Sequence, residues 1–299
     1  MYADDTTLDS PLCSFDILSE NNYNKANITK NINSELKSIT DWLAVNKLSL
    51  NVKKTKFMIF HFRQRNISAY IPEIMIDNIV IERVHDFNFL GLTIDEHMSW
   101  NVHAHKIANK ISRSLGIINS LKNILPRPIL LTLYNSLILP HLQYSILCWG
   151  FNPGRVTTLQ KRAIRLISGS KYNAHTEPVF KHLGLLKLDD IFNLCVLKFY
   201  FKLKNNTLPH YLQHMFQDNT PQHSHNTRNR DTNRETASRV SGSKCIRYYM
   251  PSILDKTPNI ITEKAETHSP KGFTNYTKKY YLSLYSDVCN ITNCYICNS

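Results

Sequence analysis

Tyr2-Ala3-Asp4-Asp5 places two adjacent carboxylates behind an aromatic and a small residue. That order suits the tip of a β-hairpin, where side chains alternate across the strand and one carboxylate is directed into a cleft. Carboxylates hold Mg²⁺, and two such ions about 4 Å apart stabilise both the attacking and the leaving oxygen of a phosphoryl transfer. Four residues are a weak signal by themselves, so their weight depends on the blocks downstream of them.

Downstream lie Trp42-Leu43-Ala44-Val45-Asn46-Lys47-Leu48-Ser49-Leu50-Asn51-Val52-Lys53-Lys54-Thr55-Lys56, and then Phe89-Leu90-Gly91. In order and spacing the three blocks resemble the end of the reverse transcriptase domain of jockey-type non-LTR retrotransposons. The metal-binding hairpin, an Asn-x-x-Lys-Thr block, a Phe-Leu-Gly primer grip and a helical thumb succeed one another there. The resemblance implies that Asp4 and Asp5 bind Mg²⁺, and that Tyr2, Ala3, Asn51 and Lys54 lie near the incoming deoxynucleotide. A lysine in that block would protonate departing pyrophosphate. Phe89, Leu90 and Gly91 would brace the 3′ end of a DNA primer on an RNA template. In that family the fingers and the strand with the other metal-binding aspartate lie N-terminal to the hairpin, and here only Met1 precedes it. The expectation is a truncated polymerase fragment: two-metal nucleotidyl transfer in the intact enzyme, and no polymerisation by these residues alone. The alternative is a non-catalytic, sequence-independent nucleic-acid-binding module or a non-functional retroelement remnant.

The charge pattern is independent of that resemblance. The chain of 299 residues carries 36 Lys+Arg against 23 Asp+Glu, a formal net charge of +13. Many basic proteins bind nothing anionic, so the distribution matters more than the sum. Between His97 and Thr176 there is no Asp or Glu, while Lys106, Lys110, Arg113, Lys122, Arg127, Arg155, Lys161, Arg162, Arg165 and Lys171 all fall inside. A single-sign stretch of that length repels itself unless a polyanion runs beside it, which points to a nucleic-acid backbone, either an RNA–DNA duplex or its strands.

Seven cysteines, an odd number, are scattered at 13, 148, 195, 245, 289, 294 and 297. With no signal peptide at the start, they predict a reduced intracellular compartment, nucleus or cytoplasm, and not secretion. Cys148 and Cys195 lie in apolar stretches and read as buried thiols. Cys289, Cys294 and Cys297 fall one ligand short of a structural zinc site. The most apolar run, 128–149, is interrupted by Asn135, Pro140, His141 and Gln143, so it reads as a buried helical pair rather than a membrane span.

Along the chain, Asn33 or Ser34 can cap a helix with Leu36, Ile39, Leu43 and Trp42 on one face, ended by Asn46 in a left-handed conformation. Leu48, Leu50 and Val52 alternate, and Phe57-Met58-Ile59-Phe60 reads as a buried strand. Short strands are expected at Ile74, Ile76, Ile79 and Ile81 and over 87–94. After Trp100, Ala104, Ile107, Ala108, Ile111, Leu115, Ile118 and Leu121 recur at helical spacing. His103, Lys106, Lys110 and Arg113 form a parallel stripe directed outward, and the adjacent His103-Ala104-His105 points its two imidazoles apart. Helices are expected at 129–148, 156–168 and 188–204. The 156–168 helix interleaves Lys161, Arg162 and Arg165 with apolar residues. Residues 217–244 read as a polar linker, and 245–285 regain aromatic content suited to a small helix docking on the preceding helices.

The fold class expected is α+β, predominantly α. The end of a palm (1–62), primer-grip strands (63–98), a basic helical thumb and post-thumb region (99–216), a linker (217–244) and a small C-terminal segment (245–299) would succeed one another.

Overall fold

The computed structural model describes residues 25–64, 67, 71–217 and 246–286. Asp4, Asp5 and the rest of the acidic hairpin, the polar linker, and Cys13, Cys245, Cys289, Cys294 and Cys297 lie outside them. The chain is predominantly helical with a few small strands. It divides into two compact units, one up to Val102 and one from His103 onward.

In the first unit, α1 spans Lys25–Val45. It begins well before Asn33, so Asn33 is interior to the helix and takes another role. Its side chain donates to Glu73 O at 3.3 Å and accepts from Met75 N at 3.1 Å. A residue expected to cap a helix thus satisfies the backbone of an adjacent strand. Leu36, Ile39 and Leu43 are half-buried, while Trp42 is 61% exposed and leaves the expected apolar face. The left-handed position after the helix is Lys47 (φ 58°), one residue beyond Asn46, whose side chain instead donates to Trp42 O at 2.8 Å.

Strands are short: β1 Lys56–Phe57, β2 Met75–Ile76, β3 Ile79–Val80, β4 Glu82–Arg83, β5 Asp86–Phe89 and β6 Leu92–Asp95. The expected strand through Phe60 therefore stops at Phe57, and Leu48, Leu50 and Val52 form none. Strand β1 pairs in parallel with β4, Lys56 opposite Glu82 and in an ion pair with it. The β2–β3 and β5–β6 pairs are antiparallel hairpins. Their two-residue turns, Asp77-Asn78 and Leu90-Gly91, all have positive φ, the conformation whose twist matches that of the strands it joins. Ile74, Ile76 and Ile81 make a small core with Ile32, Leu36, Val52 and Phe57. Ile79, expected beside them, is 51% exposed because it sits just after the turn.

Asp95 organises the chain after β6. Its buried carboxylate accepts from Ser99 N at 3.0 Å, Trp100 N at 2.9 Å, His97 N at 3.1 Å and Ser99 Oγ at 3.1 Å. Those donors turn the chain into α2, Asn101–Leu121.

The second unit contains most of α2 and all the later helices: α3 Arg127–Leu137, α4 Leu139–Gln143, α5 Ile146–Trp149, α6 Val156–Ser168, α7 Glu177–His182, α8 Leu188–Lys204, α9 His210–Gln217, α10 Ile246–Lys256, α11 Asn259–Thr267 and α12 Pro270–Ser283. The apolar run 128–149 is three short helices, broken where Tyr144 is extended and Ser145 left-handed. No helix among the described residues is long and apolar enough to cross a membrane. Trp149, Tyr134, Phe180 and Phe273 are almost fully buried at the centre. Gly150 lets α5 approach α8: a Cβ there would stand 2.6 Å from Phe192. Helices α10, α11 and α12 all pack against α8. Cys148 and Cys195 are half-buried thiols, and burial pushes both above their usual range.

Candidate nucleic-acid interface

Helix α2 buries Ala104, Ile107, Ala108, Ile111, Leu115 and Ile118, the face expected from their spacing. Lys106, Lys110 and Arg113, at i, i+4 and i+7, stand exposed on one stripe beside that face. His103 does not join them. It is 1% exposed, with its ring edge-on to Trp149 at 5.6 Å between centroids. The expectation that it contacts a backbone phosphate is corrected accordingly: position 103 lies where the stripe borders the buried face, and packing against Trp149 takes its ring inward. Burial pushes its imidazole below the usual range, and Lys110 and Lys106 push the same way. His105 is exposed and meets Asn109 at 3.4 Å, so the two imidazoles do diverge.

A second group of cations meets where three helices end or begin. Lys122 follows α2, Arg127 opens α3, and Arg165 lies in the last turn of α6. With Asn123, Gly169 and Ser170 they line a pocket of about 330 Å³. Gly169 (φ 70°) ends α6 in the left-handed conformation that glycine adopts without penalty. Arg165 Nε donates to Ala174 O at 2.8 Å, which fixes the guanidinium and ties down the loop after the helix. The hydroxyl of Ser170 meets that of the buried Ser168 at 2.7 Å. Of the other cations expected to meet a nucleic-acid backbone, Arg162 is exposed and Lys161 half-buried, both on the outer side of α6. The sequence provided each of these cations. It held no sign that Lys122, Arg127 and Arg165, 43 positions apart at the extremes, converge.

In the first unit, the Asn-x-x-Lys-Thr block is a self-capped turn. Asn51 Oδ1 accepts from Lys54 N at 3.3 Å, and Asn51 O accepts from Thr55 N at 3.1 Å and Thr55 Oγ1 at 3.0 Å. An Asx residue opening such a turn explains the residue types locally, and leaves the Lys54 side chain exposed. Phe89 closes β5, and Leu90 (61% exposed) and Gly91 form the hairpin tip.

The donors expected to hold Mg²⁺, Asp4 and Asp5, lie outside the described residues. One group among the described residues could hold a metal: His61, Glu96 and His97, whose donor atoms all lie within 4.8 Å of one another. No spacing in the sequence pointed to it. Glu96 accepts from Arg83 Nη2 at 2.8 Å and from His85 Nδ1 at 2.9 Å. Burial alone would raise its carboxyl, and those two partners outweigh burial and hold it below the usual range.

Comparisons with protein-family models, with curated proteins and with solved structures find no match.

Proposed function

We propose that the helical unit binds the sugar–phosphate backbone of nucleic acid without reading sequence, as the thumb of a reverse transcriptase of the non-LTR retrotransposon class. The observation that carries the binding is the exposed stripe Lys106, Lys110 and Arg113 on a helix whose other face is buried, inside a stretch with no acidic residue. Phosphate contacts from such a stripe position a duplex and leave its sequence unread. The pocket of Lys122, Arg127 and Arg165 suits a phosphate group, since it offers three cations and no counter-charge among its lining residues.

The polymerase assignment rests on the resemblance of the Tyr2-Ala3-Asp4-Asp5, Asn51 to Thr55 and Phe89-Leu90-Gly91 blocks. In the intact enzyme Asp4 and Asp5 would hold Mg²⁺ while a primer 3′-hydroxyl attacks the α-phosphate of a deoxynucleotide. On this reading the 299-residue polypeptide is expected to bind duplex and not to extend a primer.

Fluorescence anisotropy with an RNA–DNA hybrid tests the binding. Affinity should fall steeply and log-linearly with salt, with little preference among sequences. Exchanging Lys106, Lys110 and Arg113 for Glu should reduce affinity at least about tenfold and flatten the salt slope by about one unit for each phosphate no longer neutralised. Unchanged affinity would remove the thumb reading. Primer extension on an RNA template that is lost in Asp4→Ala would show instead that these residues suffice for catalysis.

A further inference from the structure

In the first unit, two imidazoles and a carboxylate converge with their proton positions already set. His61 Nδ1 lies 3.0 Å from Phe62 O, and His97 Nδ1 lies 3.1 Å from His61 O. A carbonyl oxygen only accepts, so both Nδ1 atoms carry the hydrogen. In a neutral imidazole that leaves Nε2 with a bare lone pair. Both Nε2 atoms face Glu96, at 3.5 Å for His61 and 3.8 Å for His97. The His61 side chain is only 9% exposed, and its Nε2 makes no hydrogen bond. His61 faces Oε2 and His97 faces Oε1, so two bare nitrogens and a carboxylate lie together, an arrangement that a cation, whether a proton or a shared metal ion, relieves.

We propose that His61 Nε2, His97 Nε2 and one carboxylate oxygen of Glu96 bind a zinc ion that staples the first unit. A tetrahedral ion with ligands at about 2.1 Å separates donor atoms by about 3.4 Å. Donors within 4.8 Å of one another reach that spacing by small side-chain rotations. The donor set selects the metal class: imidazole nitrogen suits zinc and its transition-metal neighbours, whereas magnesium takes oxygen ligands. This site is therefore separate from the Mg²⁺ chemistry expected of Asp4 and Asp5.

The surroundings match what ligands require. Ligating histidines donate the other ring nitrogen to a carbonyl or carboxylate, and ligating carboxylates are themselves hydrogen-bonded. Phe62 O and His61 O serve the two imidazoles, and Arg83 and His85 hold Glu96. The fourth position is open to water. The first unit has a core of three buried isoleucines with four half-buried neighbours, and the ion would tie the 61 loop to the turn after β6 across 36 positions of chain. Small cores of this kind gain folding free energy from such an ion.

The test uses the full chain, titrated with Zn²⁺ by calorimetry and with Co²⁺ by visible absorption. The expected result is one saturable ion per chain, tetrahedral Co²⁺ bands without thiolate charge-transfer absorption, and a thermal midpoint that rises with Zn²⁺. His61→Ala and His97→Ala should each weaken binding more than about 100-fold, while His105→Ala, altering an exposed imidazole, leaves it unchanged. His61→Gln guards against misfolding: a folded His61→Gln protein that keeps wild-type affinity overturns the site. Absence of saturable binding, or Co²⁺ held through thiolates, overturns it equally.

Discussion

The phenolic hydroxyl of Tyr285 donates to Asp190 Oδ2, joining the end of the described chain to the first turn of α8 across 95 positions. The same oxygen accepts from Lys187 N at 3.0 Å, and Lys181 Nζ donates to Tyr285 O at 3.1 Å. Lys187 Nζ lies 4.4 Å from the ring centroid. Together these interactions fasten the C-terminal helices to α7 and α8, which gives a physical basis for the docking expected of 245–285.

Tyr285→Phe should cost about 1.5–3 kcal/mol at neutral pH, because it removes a donor to an ionised acceptor. Burial pushes the Asp190 carboxyl above its usual range, and the Tyr285 hydrogen bond works against that shift. A raised folded value means that Asp190 favours folding below its unfolded pKa and loses that contribution as pH rises through the folded one. Losing the tyrosine raises the folded value further. The penalty should therefore be largest above the Asp190 titration and shrink as acid protonates it, and denaturant unfolding of both proteins across pH checks this.

Gln160 is a buried junction. Its Nε2 donates to Tyr134 Oη and to Leu186 O, each at 3.0 Å, and its Oε1 accepts from Leu188 N at 2.8 Å. Gln160→Leu leaves these partners unsatisfied among α3, α6 and the start of α8, and should cost roughly 2–4 kcal/mol. Tyr134→Phe should cost less in that background than in the wild type, a coupling that a double-mutant cycle reads directly.

His103 provides a pH signature of burial. Its folded value is depressed, so its contribution is complete above about pH 6.5 and is lost as pH falls from there through the folded value. Wild-type stability should fall relative to His103→Phe over that window. Duplex affinity of His103→Phe, measured near neutral pH, should match the wild type, whereas a surface imidazole on the stripe would give the opposite pattern.

Leu90 and Gly91 form the β5–β6 turn with φ of 46° and 82°. Leu90→Asn should stabilise the first unit by about 0.5–1 kcal/mol, and Gly91→Val should destabilise it by about 1–2 kcal/mol, since a branched side chain disfavours the left-handed region. If the hairpin tip braces a primer, as the family resemblance implies, Leu90→Asn should also weaken duplex binding while it raises the melting temperature.

Several elements were legible in the residues because their information is local. The bounds of α6 and α8, the apolar face of α2 and the outward stripe of Lys106, Lys110 and Arg113 follow from helical periodicity. So does the exclusion of a spanning helix from 128–149, where polar residues and a proline break the run. The correction for His103 is not local: spacing puts it at the edge of that stripe, and only Trp149, distant in sequence, draws it into the core.

Tertiary structure alone decided what depends on partners distant in sequence. Asn33 could be a cap or a strand-edge partner, and the proximity of β2 selected the second. Phe57 to Phe60 have the residue types of a buried strand, but pairing with β4 reaches only as far as Phe57. His61, Glu96 and His97 carry no readable spacing, because the chain between them folds away and returns, and the convergence of Lys122, Arg127 and Arg165 arises in the same way. Periodicity reports which way a side chain points on its own element. Which side chain it meets is fixed by packing between elements, a relation that no local pattern contains.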